Sequence, residues 1–233
     1  MRFLLLLFLM SAVAACSNEP PRPVVKPPKG DPRLPVTPKK ETSVDALDDP
    51  TAAPEAVKAA IEAQRKVKNA ALKNSDESPI PAAERAKFNG LKYFEFDPKY
   101  RFVCKLTPCT SNAPIKMAAT KPNDDRVYRC FGVLNFTVDG VPCSLMALKM
   151  DSPAPFDDSS ELFVPFQDTT SGKETYGAGR YINLEQNESG QYVLDFNRAF
   201  NPYCAYNPNF SCPLPPPENV LKVAIRAGEL PYH

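Results

Sequence analysis

The chain has 233 residues, 43% of them hydrophobic, with 14 Phe and 9 Tyr but no Trp, enough to build one core of moderate size. Its 28 basic and 27 acidic residues leave a formal net charge of +1, so the basic surplus that marks nucleic-acid binding is missing. The single histidine, His233 at the last position, effectively excludes Ser-His-Asp catalysis and leaves no histidine-rich metal site.

Met1-Arg2 is a short positive start, Phe3 to Met10 an apolar run, and Val13-Ala14-Ala15-Cys16 ends it with small residues before a cysteine. Residues 1–15 read as a secretory signal, too short to span a bilayer. The ending resembles a bacterial lipobox, which implies cleavage before Cys16 and acylation of that cysteine. Several acyl chains hold a protein to a membrane lastingly, whereas one binds reversibly. Ser17 stands where an Asp would retain such a lipoprotein in the inner membrane, which points to the outer membrane of a bacterial envelope, facing the periplasm. An ordinary signal peptide with a coincidental cysteine is the alternative.

Residues 16–50 change composition abruptly, with Pro20, Pro21, Pro23, Pro27, Pro28, Pro32, Pro35 and Pro38 among Lys, Arg and Gly. Such a segment buries too little surface to offset its ordering entropy and favours extended polyproline II. At ~3.1 Å per residue, ~30 residues reach on the order of 90 Å from the lipid. A passive tether is the expectation, with a Pro-rich ligand for a recognition domain as the alternative.

Residues 51–233 read as a single helix-plus-β domain. Thr51 to Asn74 is rich in Ala, Glu and Lys, with Pro54 suited to a first helical turn and Asn74-Ser75 ahead of Pro79 to end it. Val57, Ala60, Ile61, Val67, Ala71 and Leu72 form only a thin apolar stripe, so this helix must dock on the domain to be stable. Phe88 to Phe96 opens the β-rich part, and Tyr100 to Leu106 alternates like a half-buried strand. The clearest hairpin runs from Val127 to Val138 and from Val141 to Met150 across Asp139-Gly140, a pair suited to a type I′ turn. Its register sets Val138 opposite Val141, Phe136 opposite Cys143, Leu134 opposite Leu145 and Cys130 opposite Lys149. Further strands are expected at Leu162–Phe166, Arg180–Glu185, Gln191–Phe196 paired with the preceding strand, and Leu221–Ile225. One helix and about eight strands predict a mainly β protein, an antiparallel sandwich or partly open barrel with the N-terminal helix packed on it.

Six cysteines follow Cys16, and an even number in an oxidising compartment favours disulfides. Cys130 and Cys143 fall ~20 Å apart along the hairpin at ~3.4 Å per residue, too far for a bridge. Cys204 to Cys212 closes a short loop around Asn207-Pro208 and is the expected bridge, while Cys104, Cys109, Cys130 and Cys143 stay unassigned. The spacings lack paired C-x-x-C signals, so neither a metal nor dithiol redox chemistry is favoured.

Polar residues, glycines and aromatics concentrate between Phe166 and Tyr206 in a way that suits a concave site built on turns. Phe88-Asn-Gly-Leu-Lys-Tyr-Phe94, Phe166-Gln-Asp-Thr-Thr-Ser-Gly172, Thr175-Tyr-Gly-Ala-Gly-Arg-Tyr181, Asp195-Phe-Asn197, Asn201-Pro-Tyr-Cys-Ala-Tyr206, Cys212-Pro-Leu-Pro-Pro216 and Ala227-Gly-Glu229 carry a resemblance. From about Val57 to Glu229 the chain resembles a bacterial and archaeal family known as domain of unknown function sixteen eighty-four. The resemblance implies domain boundaries and the place of the site, and it implies no reaction. Cys104, Cys109, Cys130 and Cys143 lie outside the matching stretches.

Asp168, Thr170, Ser171, Gly172, Tyr176, Arg180, Asn197 and Asn201 are the candidate ligand-binding residues, with Arg180 forking onto a carboxylate or phosphate. Alternatively, Asp168 to Gly172 is a turn that satisfies its own backbone donors, and Arg180 pairs with Asp168 or Asp195. Asp168, Asp195 and Glu229 are candidate catalytic carboxylates for hydrolysis of an envelope glycan, if two of them converge at a suitable separation. The expectation is an envelope lipoprotein whose β domain binds a small anionic ligand or an envelope component, or serves a structural role. It is without cofactor or metal and is held to the membrane through its anchor.

Overall fold

The computed structural model describes residues 45–151, 161–185 and 190–233. The signal, the lipidation site Cys16 and most of the tether lie outside the described residues. Within the segment expected to be tether, a one-turn helix, α1 (Asp45–Asp48), buries Leu47 against the domain.

Helix α2 (Pro54–Asn74) places Pro54 in its first turn, where the missing N–H costs nothing, and the Ser75 N–H closes the other end on the Ala71 carbonyl. It buries Val57, Ile61, Lys68 and Leu72. These positions fall along one stripe at helical spacing, and Lys68 rather than Val67 completes it. A third short helix, α3 (Ala82–Arg85), leads into irregular chain with a single bridge between Tyr93 and Glu229.

Among the described residues, seven strands form one antiparallel sheet: β1 (Arg101–Thr107), β2 (Ile115–Met117), β3 (Arg126–Val138), β4 (Val141–Met150), β5 (Glu161–Phe166), β6 (Arg180–Glu185) and β7 (Gln191–Asp195). Their order is β6-β5-β4-β3-β1-β7, with β2 beside β3. The end strands β6 and β7 lie close together, so the sheet is a nearly closed barrel rather than a sandwich.

The β3–β4 hairpin has the expected register through Val138↔Val141, Phe136↔Cys143 and Leu134↔Leu145. Asp139 and Gly140 both take positive φ, 47° and 81°, as a type I′ turn requires. A bulge between Cys130 and Gly132 then shifts the register, so Cys130 faces Leu148 instead of Lys149.

Leu134, Phe136, Leu145, Val164, Phe166, Ile182, Leu184, Leu194 and Phe196 fill the barrel. Tyr128, Phe163, Tyr181, Phe200, Tyr203 and Tyr206 form a second cluster with Leu72 of α2. Adjacent residues of β5 and β6 point into different clusters, which is why the Leu162–Phe166 run is apolar without alternation.

Two strand expectations are corrected. Strand β7 pairs with β1, not with β6, in a register that sets Arg101 opposite Asp195 and joins them in an ion pair. Leu221–Ile225 forms no strand. Its first half keeps two backbone bonds to the turn after β5, from the Leu221 N–H to the Gln167 carbonyl and from the Thr169 N–H to the Val223 carbonyl. The Ile225 N–H, however, donates to Asp168 at 2.7 Å and the Ile225 carbonyl accepts from Arg180 at 2.8 Å, so side chains take over at its end.

Cysteine pairing also differs from expectation. The bond joins Cys109 to Cys130, while Cys204 and Cys212 are free thiols, although the Cys204 N–H reaches the Cys212 sulfur at 3.3 Å. The β2–β3 region brings Cys109 back beside Cys130, a contact invisible to an argument confined to the hairpin.

Candidate functional site

The turn after β5 is organised by Asp168. One carboxylate oxygen accepts from the Thr170 N–H at 3.1 Å, the Thr170 hydroxyl at 2.6 Å and the Ser171 hydroxyl at 3.2 Å. The other accepts from the Ile225 N–H and, at 3.3 Å, from Arg180. The Thr170 hydroxyl also meets that of Thr175 at 2.9 Å, and Gly172 closes the turn by donating its N–H to the Thr175 carbonyl. Asp168 to Gly172 is thus the self-satisfying turn.

Arg180 is 1% exposed, with its guanidinium over the Phe166 ring and donating to the Ala227 and Ile225 carbonyls as well as to Asp168. Burial pulls it down to about 10, opposed by the nearby Asp168 and Glu229 carboxylates. Gly179 takes φ +97°, and a Cβ there would stand 2.6 Å from the Phe166 carbonyl oxygen and 2.8 Å from Pro215. The close approach that a glycine permits is used here by the chain itself. Arg180 therefore does not face solvent, and of its two expected roles it takes the internal ion pair with Asp168.

Asp195, at the end of β7, is 0% exposed and pairs with Arg101 at 3.1 Å. Its other oxygen accepts from the Asn197 N–H at 2.9 Å and the Asn197 side-chain amide at 2.8 Å. Arg101 goes on to the Leu47 and Asp49 carbonyls, and Arg198 pairs with Asp48 at 2.6 Å. These contacts fasten α1 to the barrel.

Glu229, 1% exposed, pairs with Lys68 from the docking stripe of α2 and accepts from the Asn201 N–H at 2.8 Å and the Tyr206 hydroxyl at 2.7 Å. One turn before Lys68, Arg65 stacks 4.0 Å over the Tyr93 ring and donates to the Asn197 carbonyl. Burial holds the Arg65 guanidinium below its usual range and pushes the Tyr93 and Tyr206 phenols up. The Arg65 Nε, the Tyr93 hydroxyl and the Asn201 side-chain oxygen are buried with unused hydrogen-bonding capacity.

Tyr176 belongs to a fourth group, donating its hydroxyl to the Cys204 sulfur at 3.5 Å. The candidate residues thus divide. Asp168, Thr170, Ser171, Gly172 and Arg180 come together, Asn197 joins Asp195, Asn201 joins Glu229, and Tyr176 joins the thiols. Each of the three candidate carboxylates is paired with its own cation, and Arg180 and Arg65 lie between them, Arg180 also feeling Glu229 and Arg65 both Glu229 and Asp195. Sequence reasoning missed Arg65, Lys68, Tyr93 and Arg101. The signal for Lys68 was its position on the stripe of Val57, Ile61 and Leu72.

A nearly closed antiparallel barrel with buried ion pairs at its turns and an N-terminal helix across it defines the class of this domain. The chain belongs to the family described as "Protein of unknown function (DUF1684)", whose model matches residues 86–230. A solved relative is the uncharacterized protein from gene locus rrnAC0354 of Haloarcula marismortui, determined by solution NMR. It is 37% identical over 76% of this chain and 95% of that chain, with a TM-score of 0.58. No curated protein matches.

Proposed function

We propose that this protein is an envelope lipoprotein, anchored through acylated Cys16, whose barrel is a binding or structural module rather than a hydrolase. The observation that carries the second half is the neutralisation of every candidate catalytic carboxylate by a cation of its own: Asp168 by Arg180, Asp195 by Arg101 and Glu229 by Lys68. Acid–base hydrolysis needs two carboxyls converging on one bond, one of them poised to give up a proton. Buried carboxylates that each hold a cation, with further cations between them, favour a scaffold. The anchor rests on the apolar signal ending in Val13-Ala14-Ala15-Cys16, and the proline-rich tether then sets the barrel away from the bilayer.

The binding half of the reading falls on the seam between α2 and the barrel. Two cations, Arg65 and Lys68, stand there; Lys68 is paired with Glu229, while Arg65 feels Glu229, Glu62 and Asp195 but is in an ion pair with none of them. Two donors, the Arg65 Nε and the Tyr93 hydroxyl, are unfilled. That balance suits a small anion or an anionic envelope component.

Native mass spectrometry of the full-length protein, extracted from membranes in nonionic detergent, tests both halves. The reading expects a chain starting at Cys16 with added lipid mass, absent from Cys16→Ser, and a retained small molecule lost in Arg65→Gln. An unmodified chain in the soluble periplasmic fraction would overturn the anchor. An empty protein would leave the structural role alone.

A further inference from the structure

Cys204 and Cys212 are adjacent free thiols in unlike surroundings. Cys204 lies in the one-turn 3-10 helix Tyr203–Ala205 and is partly exposed, whereas Cys212 is 0% exposed. The Cys212 sulfur rests 3.3 Å from the backbone nitrogen of Cys204. The hydroxyl of Tyr176, itself partly exposed, reaches the Cys204 sulfur from the other side. Thr120 ties the second cysteine down, accepting from the Cys212 N–H at 3.0 Å and donating its own N–H to the Cys212 carbonyl at 2.9 Å. The loop between them is held by the Tyr203–Phe210 ring contact at 5.3 Å, and Arg126 donates to the Ser211 carbonyl next to Cys212.

We propose that Cys204 and Cys212 are a reversible dithiol–disulfide pair that exchanges with organic disulfides, Cys204 as the attacking sulfur and Cys212 as the resolving one. The Cys204 thiolate attacks one sulfur of the substrate disulfide. A Cys204–substrate bond forms, the substrate S–S bond breaks, and the leaving sulfur takes up a proton. Cys212 then loses its proton to solvent and attacks the Cys204 sulfur, closing the Cys204–Cys212 bond and releasing the second substrate thiol. Two protein thiols are oxidised and one substrate disulfide is reduced to two thiols, with two protons released and two taken up.

The surroundings divide the roles. Hydrogen bonds from Cys212, Tyr176 and Thr120 favour the charged sulfur and bring Cys204 down to about 7 against its burial. Cys212, whose thiol donates a hydrogen bond to Cys204 and is buried, is pushed well up despite the nearby Arg126 charge. A partly exposed thiolate beside a buried, protonated thiol is the division of labour that exchange requires. Both cysteines lie in stretches that carry the family resemblance, while Cys109 and Cys130, already bonded, lie outside them. This inference stands independently of the anchor and of the anion seam.

The test uses full-length purified protein equilibrated with mixtures of reduced and oxidised glutathione, quenched in acid, alkylated and weighed by peptide. The expected result is a Cys204–Cys212 pair that passes from dithiol to disulfide across the series while Cys109–Cys130 stays bonded. In Cys212→Ser, a glutathione adduct accumulates on Cys204 because nothing resolves it. Iodoacetamide at pH 7 should modify Cys204 about fivefold or more faster than Cys143, a thiol of the same intermediate exposure whose burial raises it. Cys204 is about half thiolate at pH 7, whereas burial keeps Cys143 almost wholly protonated, a difference that outweighs the lower intrinsic nucleophilicity of the more acidic thiol. A pair that stays dithiol throughout, or a bond that forms but resists reduction in the folded protein, would overturn the proposal. So would a Cys204 no more reactive than Cys143.

Discussion

Asp168 and Glu229 are both buried carboxylates with a cation on one oxygen, yet their surroundings differ. Every polar neighbour of Asp168 is used: Thr170, Ser171, Arg180 and the Ile225 N–H complete a closed knot of turn and C-terminal segment. Glu229 reaches across 161 positions of sequence to Lys68, and around it Arg65, Tyr93 and Asn201 keep unfilled hydrogen-bonding capacity. A knot closed mostly on its own turn and tail serves the barrel, whereas a seam closed by a docked helix keeps residual polarity. The first fixes geometry, and the second is where an additional molecule gains most by binding.

The largest effect that would break this comparison is at the knot. Arg180→Met leaves Asp168 buried without its cation and should cost about 3–5 kcal/mol in urea unfolding. At the seam, Lys68→Met should cost less, about 2–4 kcal/mol, because local opening of α2 lets Glu229 rehydrate. Hydrogen exchange should then accelerate in α2 while the strands stay protected; uniform acceleration would remove the distinction between knot and seam. Gly179→Ala should cost about 1–3 kcal/mol, since an L side chain at φ +97° is strained and its Cβ meets the Phe166 carbonyl. Unchanged stability there would mean the turn can shift. The pH dependence of Cys204 alkylation should inflect near 7 and rise with pH, because its folded value is depressed and the thiolate is the reactive form. An inflection near 9 would leave the thiol unactivated. The smallest effect belongs to Val67→Lys, on the exposed side of α2, where unfolding should change by no more than about 0.5 kcal/mol.

The sequence was legible where structure is local. Pro54 and Ser75 bound the helix, and Asp139-Gly140 with its flanking apolar alternation determined turn and register. It was opaque where one distant side chain redirects the backbone. Nothing near Gln191 says that Asp195 will meet Arg101, and nothing near Leu221 says that Asp168 and Arg180 will take up the backbone polar groups of Ile225. The Phe131 bulge was equally hidden, being one residue of slack in an otherwise regular hairpin. The candidate site was half legible for the same reason. Composition located the polar residues between Phe166 and Tyr206, but which of them face one another is a matter of topology. The resemblance pointed to the same segment without saying whether its polarity faces outward or inward.

The central claim is that Asp168 and Arg180 act on each other rather than on a ligand. A double-mutant cycle of Asp168→Asn, Arg180→Met and the double variant, followed by urea unfolding, tests it most directly. Partners in a buried pair should couple by about 1 kcal/mol or more, with the double variant more stable than the sum of the single losses implies. Additive losses with no coupling, or single variants as stable as the wild type that release a bound molecule, would contradict the account.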